Sequence, residues 1–311
     1  MIIKKKVSWI RLLFHFKGSS FEEIWPRILI VTIVAIVVTY IELHYNLQGY
    51  TLTTTPFTLI GVALSIFLGF RNNAAYDRFW EGRKLWGSLV NTSRSLARQA
   101  YTLVDSPNDN KALEQFRKVF VFRVIAFVHA LRCHLRDEDS TEEIKKYLSP
   151  EDYCAVINAT HKPLIILQQL GRDLAHARDK GWLHELNLPF IDAQLVELSN
   201  IMGACERIKN TPIPFTYNVL IRRIVASYCF FLPFGLIETT GAATPIVVFL
   251  ISHAFFGLDA IGDEIESPFD KQPNNLPLMA ISRNIEINLL ELINNPDRPE
   301  PIKPTKDNIL W

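Results

Sequence analysis

The sequence predicts an all-α membrane protein with four transmembrane helices and a helical cytoplasmic domain. Long apolar runs are separated by charged, helix-forming segments, and no stretch shows the period-2 alternation of a half-buried strand. The chain has 311 residues, of which 49% are hydrophobic, and its mean hydropathy is +0.12. That value is high for a soluble protein and low for a chain lying wholly in a bilayer, so a few spans with a sizeable cytoplasmic part are expected.

Residues 51–84 organise the prediction, because this stretch begins uncharged and turns polar at Arg71 without a helix breaker. No proline lies between Pro56 and Pro107. One helix from Pro56 to about Val104 would be about 70 Å long at ~1.5 Å per residue. The hydrocarbon core is only ~30 Å thick, so this helix crosses the membrane and continues into the cytoplasm. It suits the wall of a pore and also the stalk of a membrane enzyme.

The charge distribution predicts the orientation. Five basic residues lie in the segment 1–26, interleaved with apolar ones, whereas the loop 45–55 after the first span (28–43) has no charged side chain. The positive-inside rule therefore predicts cytoplasmic termini and outer loops at 45–55 and 238–244. The segment 1–26 is amphipathic, and it lies either on the membrane surface or on the protein's own cytoplasmic body.

The chain divides into five predicted regions. They are an N-terminal cytoplasmic or interfacial segment (1–26), the first span with the long second helix (27–104), a cytoplasmic helical domain (105–212), a hairpin of the third and fourth spans (213–260) and a C-terminal helix with an extended tail (261–311). In the helical domain, Ser149 and Pro150 form a predicted helix start. Pro233 lies within the third span and predicts a kink.

The sequence lacks the motifs of catalysis and of cofactor binding. A GxGxxG run, a P-loop, an HExxH pair and a GxSxG elbow are all absent, so we predict neither an enzyme nor a cofactor. The net charge of +1 gives no argument for nucleic acid. His129 and Cys133 stand at i, i+4 and supply half of a metal site, but core packing is favoured and no metal is predicted. The acidic run 259–270 lacks the ligand pattern of an EF-hand, and a solvated helix end is favoured there.

The second span is apolar all round, so its periodicity does not reveal a functional face. Val62, Ile66 and Phe70 form one i, i+4, i+8 stripe, for which ordinary helix packing is the plain alternative to a pore. Small residues on the same span let neighbouring helices approach closely; they are Gly61, Ala63, Ser65 and Gly69.

Three motifs give these features a common interpretation. They are SIFLGFRNNAAYDRFWEGRKLWG (65–87), CERIKNTPIPFTYNV (205–219) and GLDAIGDEIESPF (257–269). With the four-span layout between them, the sequence resembles the bacterial branch of the bestrophin family of pentameric ion channels. The resemblance covers most of residues 20–290, and the middle of the chain matches only as helical cytoplasmic structure.

The resemblance implies a multi-pass protein of the bacterial inner membrane that forms a homopentamer around an axial pore, in contact with membrane lipid. Val62, Ile66 and Phe70 would line an apolar neck, and Ile191 a second, cytoplasmic constriction, with Leu186 as its competitor. Bacterial members favour monovalent cations, so the expected ion is a cation such as sodium. A chloride channel of the same fold and a non-conducting membrane scaffold are the alternatives.

Eukaryotic members of the family are calcium-gated chloride channels with an acidic cluster in the segment that corresponds to 268–275. Here Pro268 and Phe269 are followed by DKQPNN, in which Asp270 is the only acid, and this departure argues against calcium gating.

An apolar neck carries no charge, so the sign of the ion must be chosen near its mouths. The candidates for a cation bias are Asp77, Glu81, Asp192 and Glu197. The alternative role of these carboxylates is pairing with nearby arginines on the same helices; the arginines considered are Arg71, Arg78 and Arg83.

Overall fold

The computed structural model describes residues 1–2, 18, 20–45, 52–106, 110–305 and 307–311. The described residues form ten α-helices, with isolated bridges but no named strand. The helices are α1 (Phe21–Tyr45), α2 (Thr54–Thr102), α3 (Asn110–Leu135), α4 (Thr141–Lys145), α5 (Pro150–Ile157), α6 (Lys162–Asp179), α7 (Leu188–Asn210), α8 (Phe215–Thr240), α9 (Thr244–Glu266) and α10 (Leu278–Leu292). Most of the predicted amphipathic segment 1–26 and of the loop 45–55 lies outside the described residues.

The chain divides into two compact units. The apolar unit comprises Lys4–Phe79 and Pro212–Pro268, and the polar unit comprises Met1–Ile3, Trp80–Thr211 and Phe269–Trp311. The 49-residue helix α2 contributes its first half to the apolar unit and its second half to the polar unit. The single long helix predicted from Pro56 to Val104 is thereby confirmed.

The apolar unit contains the membrane-crossing helices. Among the described residues, three helical segments are long and apolar enough to cross a bilayer, and they are Phe21–Tyr45, Thr54–Thr102 and Phe215–Glu266. The last consists of α8 and α9, joined by the 3₁₀ turn Gly241–Ala243 and packed on each other, and α1 packs against both. This gives four apolar helices, as predicted. Helix α9 continues to Glu266, six residues beyond the predicted end of the hairpin at 260.

Close approach of helices in this unit depends on two glycines. A Cβ at Gly235 would lie 2.2 Å from the ring of Phe57, and one at Gly61 would lie 2.7 Å from the hydroxyl of Tyr228. Side chains fill the core of this unit so closely that an added methyl group has no room. The predicted close approach is confirmed at Gly61, whereas a Cβ at Gly69 would meet no heavy atom within 4 Å.

The polar unit is built around α3, which packs against α4, α6, α7 and α10. Much of α3 is buried despite its charged residues. Helix α5 begins as predicted, with the hydroxyl of Ser149 accepting the backbone N–H of Asp152 at 3.2 Å and Pro150 in the first turn. The residues after α10 form the predicted tail without a helix, and the N–H of Ala280 donates to the carbonyl of Trp311 at 2.7 Å.

A buried carboxylate lies at the centre of the polar unit. Glu286 on α10 is 0% exposed, and it accepts hydrogen bonds from His129 Nε2 and Lys146 Nζ, each at 3.0 Å, and from the Tyr147 hydroxyl. Burial alone would raise the pKa of Glu286, but the hydrogen bonds from these three groups outweigh it and lower the pKa to about 2. The network joins α3, α10 and the segment that follows α4.

We predict that Glu286→Gln destabilises the protein by about 3–5 kcal/mol at neutral pH, because His129, which is buried, and Lys146, which is exposed, lose this counter-charge. A carboxylate with a lowered pKa contributes stability above its ordinary value of 4.5, and that contribution is lost as the pH falls towards about 2. The free energy of unfolding of the wild type should therefore fall over this window, whereas that of the variant should change less. Chemical denaturation in detergent at pH 7, 4.5 and 3 measures this.

Glu291→Gln is the matched control, since Glu291 lies on the same helix but is exposed, and its side-chain ion pair among the described residues is with Arg298 at 3.4 Å. We expect a change below about 1 kcal/mol for it. Equal destabilisation by the two substitutions would contradict the central role of Glu286.

Candidate functional site

Helix α2 packs on its own chain along one narrow seam in the apolar unit. The buried positions recur every three or four residues and are Phe57, Gly61, Leu64, Leu68, Arg71 and Ala75. Such spacing is that of a coiled-coil seam and covers only one side of a helix. The rest of the apolar surface of α2 is exposed within the chain and must be covered by lipid, water or other subunits.

The predicted neck residues lie on this exposed surface. Val62, Ile66 and Phe70 are 58%, 53% and 65% exposed, whereas Leu64 is 2% exposed. Leu59, Ile60 and Phe67 are exposed as well, so the exposed surface is wider than the predicted stripe. The structure thus brings the three predicted residues to one solvent-accessible side and excludes them from the core of the chain.

The rotation of α2 about its axis is fixed by Arg71, the residue directly after Phe70. Arg71 is 1% exposed, and its guanidinium contacts Asp259 Oδ1 at 2.5 Å, Asp263, and Asn218 Oδ1 at 3.0 Å. Consecutive helical residues point about 100° apart, so turning Arg71 into the packed side turns Phe70 outward. We call Arg71, Asp259, Asp263 and Asn218 the arginine clamp.

Further polar contacts hold α9 against α2 beside the clamp. The side-chain amide of Asn72 donates to the carbonyl of Leu258 at 3.0 Å. A Cβ at Gly262 would lie 2.3 Å from Asn72 Oδ1, so any larger residue there would displace the Asn72 side chain. Glu266 accepts from the N–H of Ile213 at 2.9 Å and from Asn218 Nδ2 at 3.2 Å, which joins α9 to α8.

The clamp overturns one prediction. The acidic run that begins at Asp259 is not a solvated helix end, since Asp259 is 2% exposed and Asp263 contacts both Arg71 and Arg222. These carboxylates are the ion-pair partners of a buried guanidinium, and they lie on α9 past the end of its apolar run. The partners lie 147 to 192 residues apart in sequence, beyond the reach of a spacing argument.

The prediction for the second constriction is also wrong in its residue. Ile191 is 0% exposed and lies in the core of the polar unit beside Phe120 and Leu174, so its side chain cannot line a passage. Leu186 and Phe190, just before it, are 74% and 63% exposed. The competing candidate Leu186 is therefore the one whose side chain is accessible.

The four acidic candidates for selectivity have different surroundings. Glu81 pairs with Arg207 at 2.5 Å, while Asp77, Asp192 and Glu197 form no ion pair within the described part of the chain. The alternative was pairing with Arg71, Arg78 or Arg83, and no such pair forms with these four carboxylates among the described residues. Arg71 is engaged in the clamp, and Arg78 donates to the carbonyl of Glu266 at 3.0 Å. Asp77 and Asp192 are exposed, and Glu197 is half-buried.

His129 and Cys133 do not face each other as metal ligands. His129 lies between Glu286 and Glu143, and the thiol of Cys133 accepts a hydrogen bond from Arg132 at 3.0 Å. Burial raises the pKa of Cys133 to about 11, which keeps it a neutral thiol. Both residues therefore belong to the packing of α3, the interpretation favoured from the sequence.

Comparison with known proteins identifies the family of this chain. Residues 1–291 match the family model described as bacterial/fungal bestrophin protein. The chain belongs to the bestrophin family. The resemblance carried by the second span and by the two ends of the hairpin is thereby confirmed, and a bestrophin fold accounts for the long helix α2 and the α8–α9 pair.

Named relatives and a solved structure agree with this assignment. A voltage-dependent anion channel-forming protein of Ralstonia nicotianae is 38% identical over 296 residues, which is 95% of each chain. The voltage-dependent anion channel-forming protein YneE of Escherichia coli is 37% identical, covering 98% of each. The crystal structure of a bacterial bestrophin homologue from Klebsiella pneumoniae superimposes with a TM-score of 0.81 at 34% identity, covering 87% of this chain and 98% of that one.

We predict that Arg71→Met destabilises the protein by about 3–5 kcal/mol, because it leaves the carboxylate of Asp259 buried without its counter-charge. The double variant Arg71→Met/Asp259→Asn should regain much of this loss, since the uncompensated charge is gone and Asp263 keeps Arg222. Chemical denaturation of the two single variants and the double variant measures the coupling.

Arg83→Met serves as the control, since Arg83 is an exposed arginine on the same helix. It should change the free energy of unfolding by less than about 0.5 kcal/mol. Additive losses in the double variant would show that Arg71 and Asp259 act independently and would refute the clamp.

Proposed function

We propose that the chain is a subunit of a homopentameric ion channel whose pore is lined by α2. The main support is the narrow packed seam of α2, which leaves Val62, Ile66 and Phe70 exposed. The buried Arg71 fixes the rotation of the helix in this position. An isolated subunit in water would leave this apolar face of α2 without a partner. Five copies around an axis would bring these side chains together as three stacked apolar rings.

The proposed neck works by hydration rather than by charge. A narrow apolar constriction loses its water and closes without a moving charged group, and it conducts when it widens enough to stay wet. Arg71 lies next to this stretch, but its charge is paired with Asp259 and Asp263. The clamp therefore gives the neck no unpaired charge. In the polar unit, Leu186 is the better candidate for a second apolar constriction, in place of Ile191.

The relatives' names favour an anion, with chloride as the physiological example. Those of Ralstonia nicotianae and Escherichia coli are both called anion channel-forming. A cation such as sodium is the second candidate, favoured by the exposed carboxylates of Asp77 and Asp192, which have no ion pair among the described residues. The absence of a catalytic motif from the sequence supports a channel over an enzyme.

We expect Ile66→Ala to increase the current of the purified protein in a planar bilayer. If Ile66 faces the axis, the substitution removes a ring of branched side chains, which widens the neck and lowers the barrier to wetting. Phe70→Ala should act in the same direction. Neither substitution alters a charge, so the reversal potential should stay unchanged.

Leu64→Ala is the matched control, because Leu64 is buried in the seam. It creates a cavity that typically costs ~2–5 kcal/mol, and the current should fall with the stability of the assembly. A native mass of the wild type in detergent must give five subunits. Monomers or dimers, or a larger gain of current from Leu64→Ala than from Ile66→Ala, would contradict the proposed pore face, and a wild type without current would favour the scaffold alternative.

The ion is decided by the reversal potential in a KCl gradient. An anion channel gives a reversal potential near that of chloride. In that case Asp77→Asn should increase the current, because a carboxylate that repels anions is removed, and the reversal potential should change little. A reversal potential near that of potassium, which shifts towards chloride in Asp77→Asn and Asp192→Asn, would establish the cation reading instead. Glu291→Asn, on α10, is the control for a distant exposed carboxylate.

The membrane is proposed to be the bacterial inner membrane, with both chain ends in the cytoplasm, as the basic residues before α1 indicate. Of the four cysteines, only Cys154 is exposed within the chain, so Cys154→Ser provides a background for labelling. A membrane-impermeant thiol reagent added outside should label Ala242→Cys in the 3₁₀ turn and miss Asn110→Cys. The opposite pattern would invert the topology.

A further inference from the structure

Three helices of the polar unit bring two imidazoles and a carboxylate to one point. His134 lies in the last turn of α3, His161 is the residue before α6, and Glu206 is on α7. The Oε1 atom of Glu206 is 3.0 Å from His134 Nε2 and 2.5 Å from His161 Nε2. The two rings are 4.5 Å apart between centroids. Among the described residues, this is the group of three that satisfies the geometry of a metal-ligand set.

The chemistry of this set points to a transition metal. Two imidazole nitrogens and one carboxylate oxygen form the ligand set of open zinc sites, which keep a fourth position for water. Oxygen-only ligands would suit calcium or magnesium, and imidazole does not. All three side chains are 25% to 32% exposed, and a cavity of about 190 Å³ that includes Cys133, Asp137 and Glu138 in its lining opens beside His134. An ion and its water therefore have both access and room.

We propose that His134, His161 and Glu206 bind one divalent transition-metal ion, with zinc as the best fit. The ligand atoms are the Nε2 atoms of both histidines and a carboxylate oxygen of Glu206, with water completing the coordination. The ammonium group of Lys209 is held at 2.6 Å by Asp137 and at 2.9 Å by the carbonyl of His134, so its charge is partly compensated.

In the metal-free geometry, the hydrogen bonds of His161 select one tautomer of its imidazole, and zinc binding requires the other. The Nδ1 atom of His161 accepts the backbone N–H of Leu164 at 3.2 Å, as the N-cap of α6. A neutral His161 then carries its proton on Nε2 and donates it to Glu206. A metal ion at Nε2 requires the lone pair there, so the proton moves to Nδ1 and the N–H of Leu164 loses its acceptor. Zinc binding and the helix cap therefore compete for the same imidazole.

This competition suggests a matched set of variants. His161→Asn removes the imidazole and supplies a side-chain oxygen that is among the best N-caps, so α6 keeps its start while the metal ligand is lost. Glu206→Gln removes the anionic ligand at constant size. His184→Asn is the control, because the Nδ1 atom of His184 also accepts a backbone N–H, from Leu186 at 3.2 Å, but His184 is outside the group.

The test uses the full-length protein in detergent, stripped with a chelator and then titrated with zinc chloride against a chromophoric competitor. We expect one zinc ion per subunit for the wild type and for His184→Asn. His161→Asn and Glu206→Gln should bind it more than about tenfold more weakly, since even groups that only orient a ligand contribute 10–100-fold to metal affinity. Zinc should also raise the melting temperature of the wild type and of the control, and calcium at the same concentration should not.

Two further readouts keep the result independent of folding. Cobalt(II) substituted for zinc should give the visible d–d absorption of a four-coordinate site in the wild type and lose it in Glu206→Gln. Hydrogen exchange at the amide of Leu164 should become faster when zinc binds. An undiminished stoichiometric affinity in His161→Asn and Glu206→Gln, or the absence of zinc binding by the wild type, would overturn the proposal and leave the group as a hydrogen-bonded triad.

Discussion

The arrangement of the apolar unit depends on one guanidinium buried at the end of an apolar helix stretch. A charge removed from water is unfavourable by several kcal/mol unless charged and polar partners replace the water, and Arg71 has two carboxylates and an amide oxygen. Those partners come from α8 and α9, so satisfying the one charge aligns three helices at once. Apolar packing tolerates a sliding or rotating helix much better than such a contact does. The clamp therefore sets which side of α2 is left uncovered by its own chain, although Val62, Ile66 and Phe70 take no part in it.

The polar unit follows the same physical rule with the opposite sign. Glu286 is a buried anion, and its partners His129, Lys146 and Tyr147 come from α3 and from the segment after α4. In each unit, the apolar contacts supply most of the burial, while one desolvated charge selects the register in which the helices meet. A substitution at either charge is consequently felt by every helix that supplies a partner.

The fold was largely accessible from sequence, and the candidate site only in part. Length, apolar runs and the absence of proline after Pro56 were enough for α2, and Ser149 with Pro150 was enough for the start of α5. The seam of α2 could not be predicted, because a helix that is apolar on every side has no periodicity in its composition. The acidic residues of α9 and the burial of Ile191 were predicted wrongly for a related reason. Both depend on partners far along the chain, Arg71 in one case and the core around Phe120 in the other, and local spacing carries no information about them.

The discontinuity of the polar unit imposes an order of assembly during synthesis. Arg136, just after α3, donates to the carbonyls of Phe269 and Leu276, and α10 packs against α3, so segments on both sides of the α8–α9 pair complete one core. The ribosome makes α3 well before α10, and the α8–α9 pair has to emerge between them. Much of the surface of α3 that α10 will cover therefore stays uncovered until the hairpin has left the ribosome. This interval, when an incomplete core coexists with newly made apolar helices, is the stage at which the nascent chain is most exposed to chaperones and proteases.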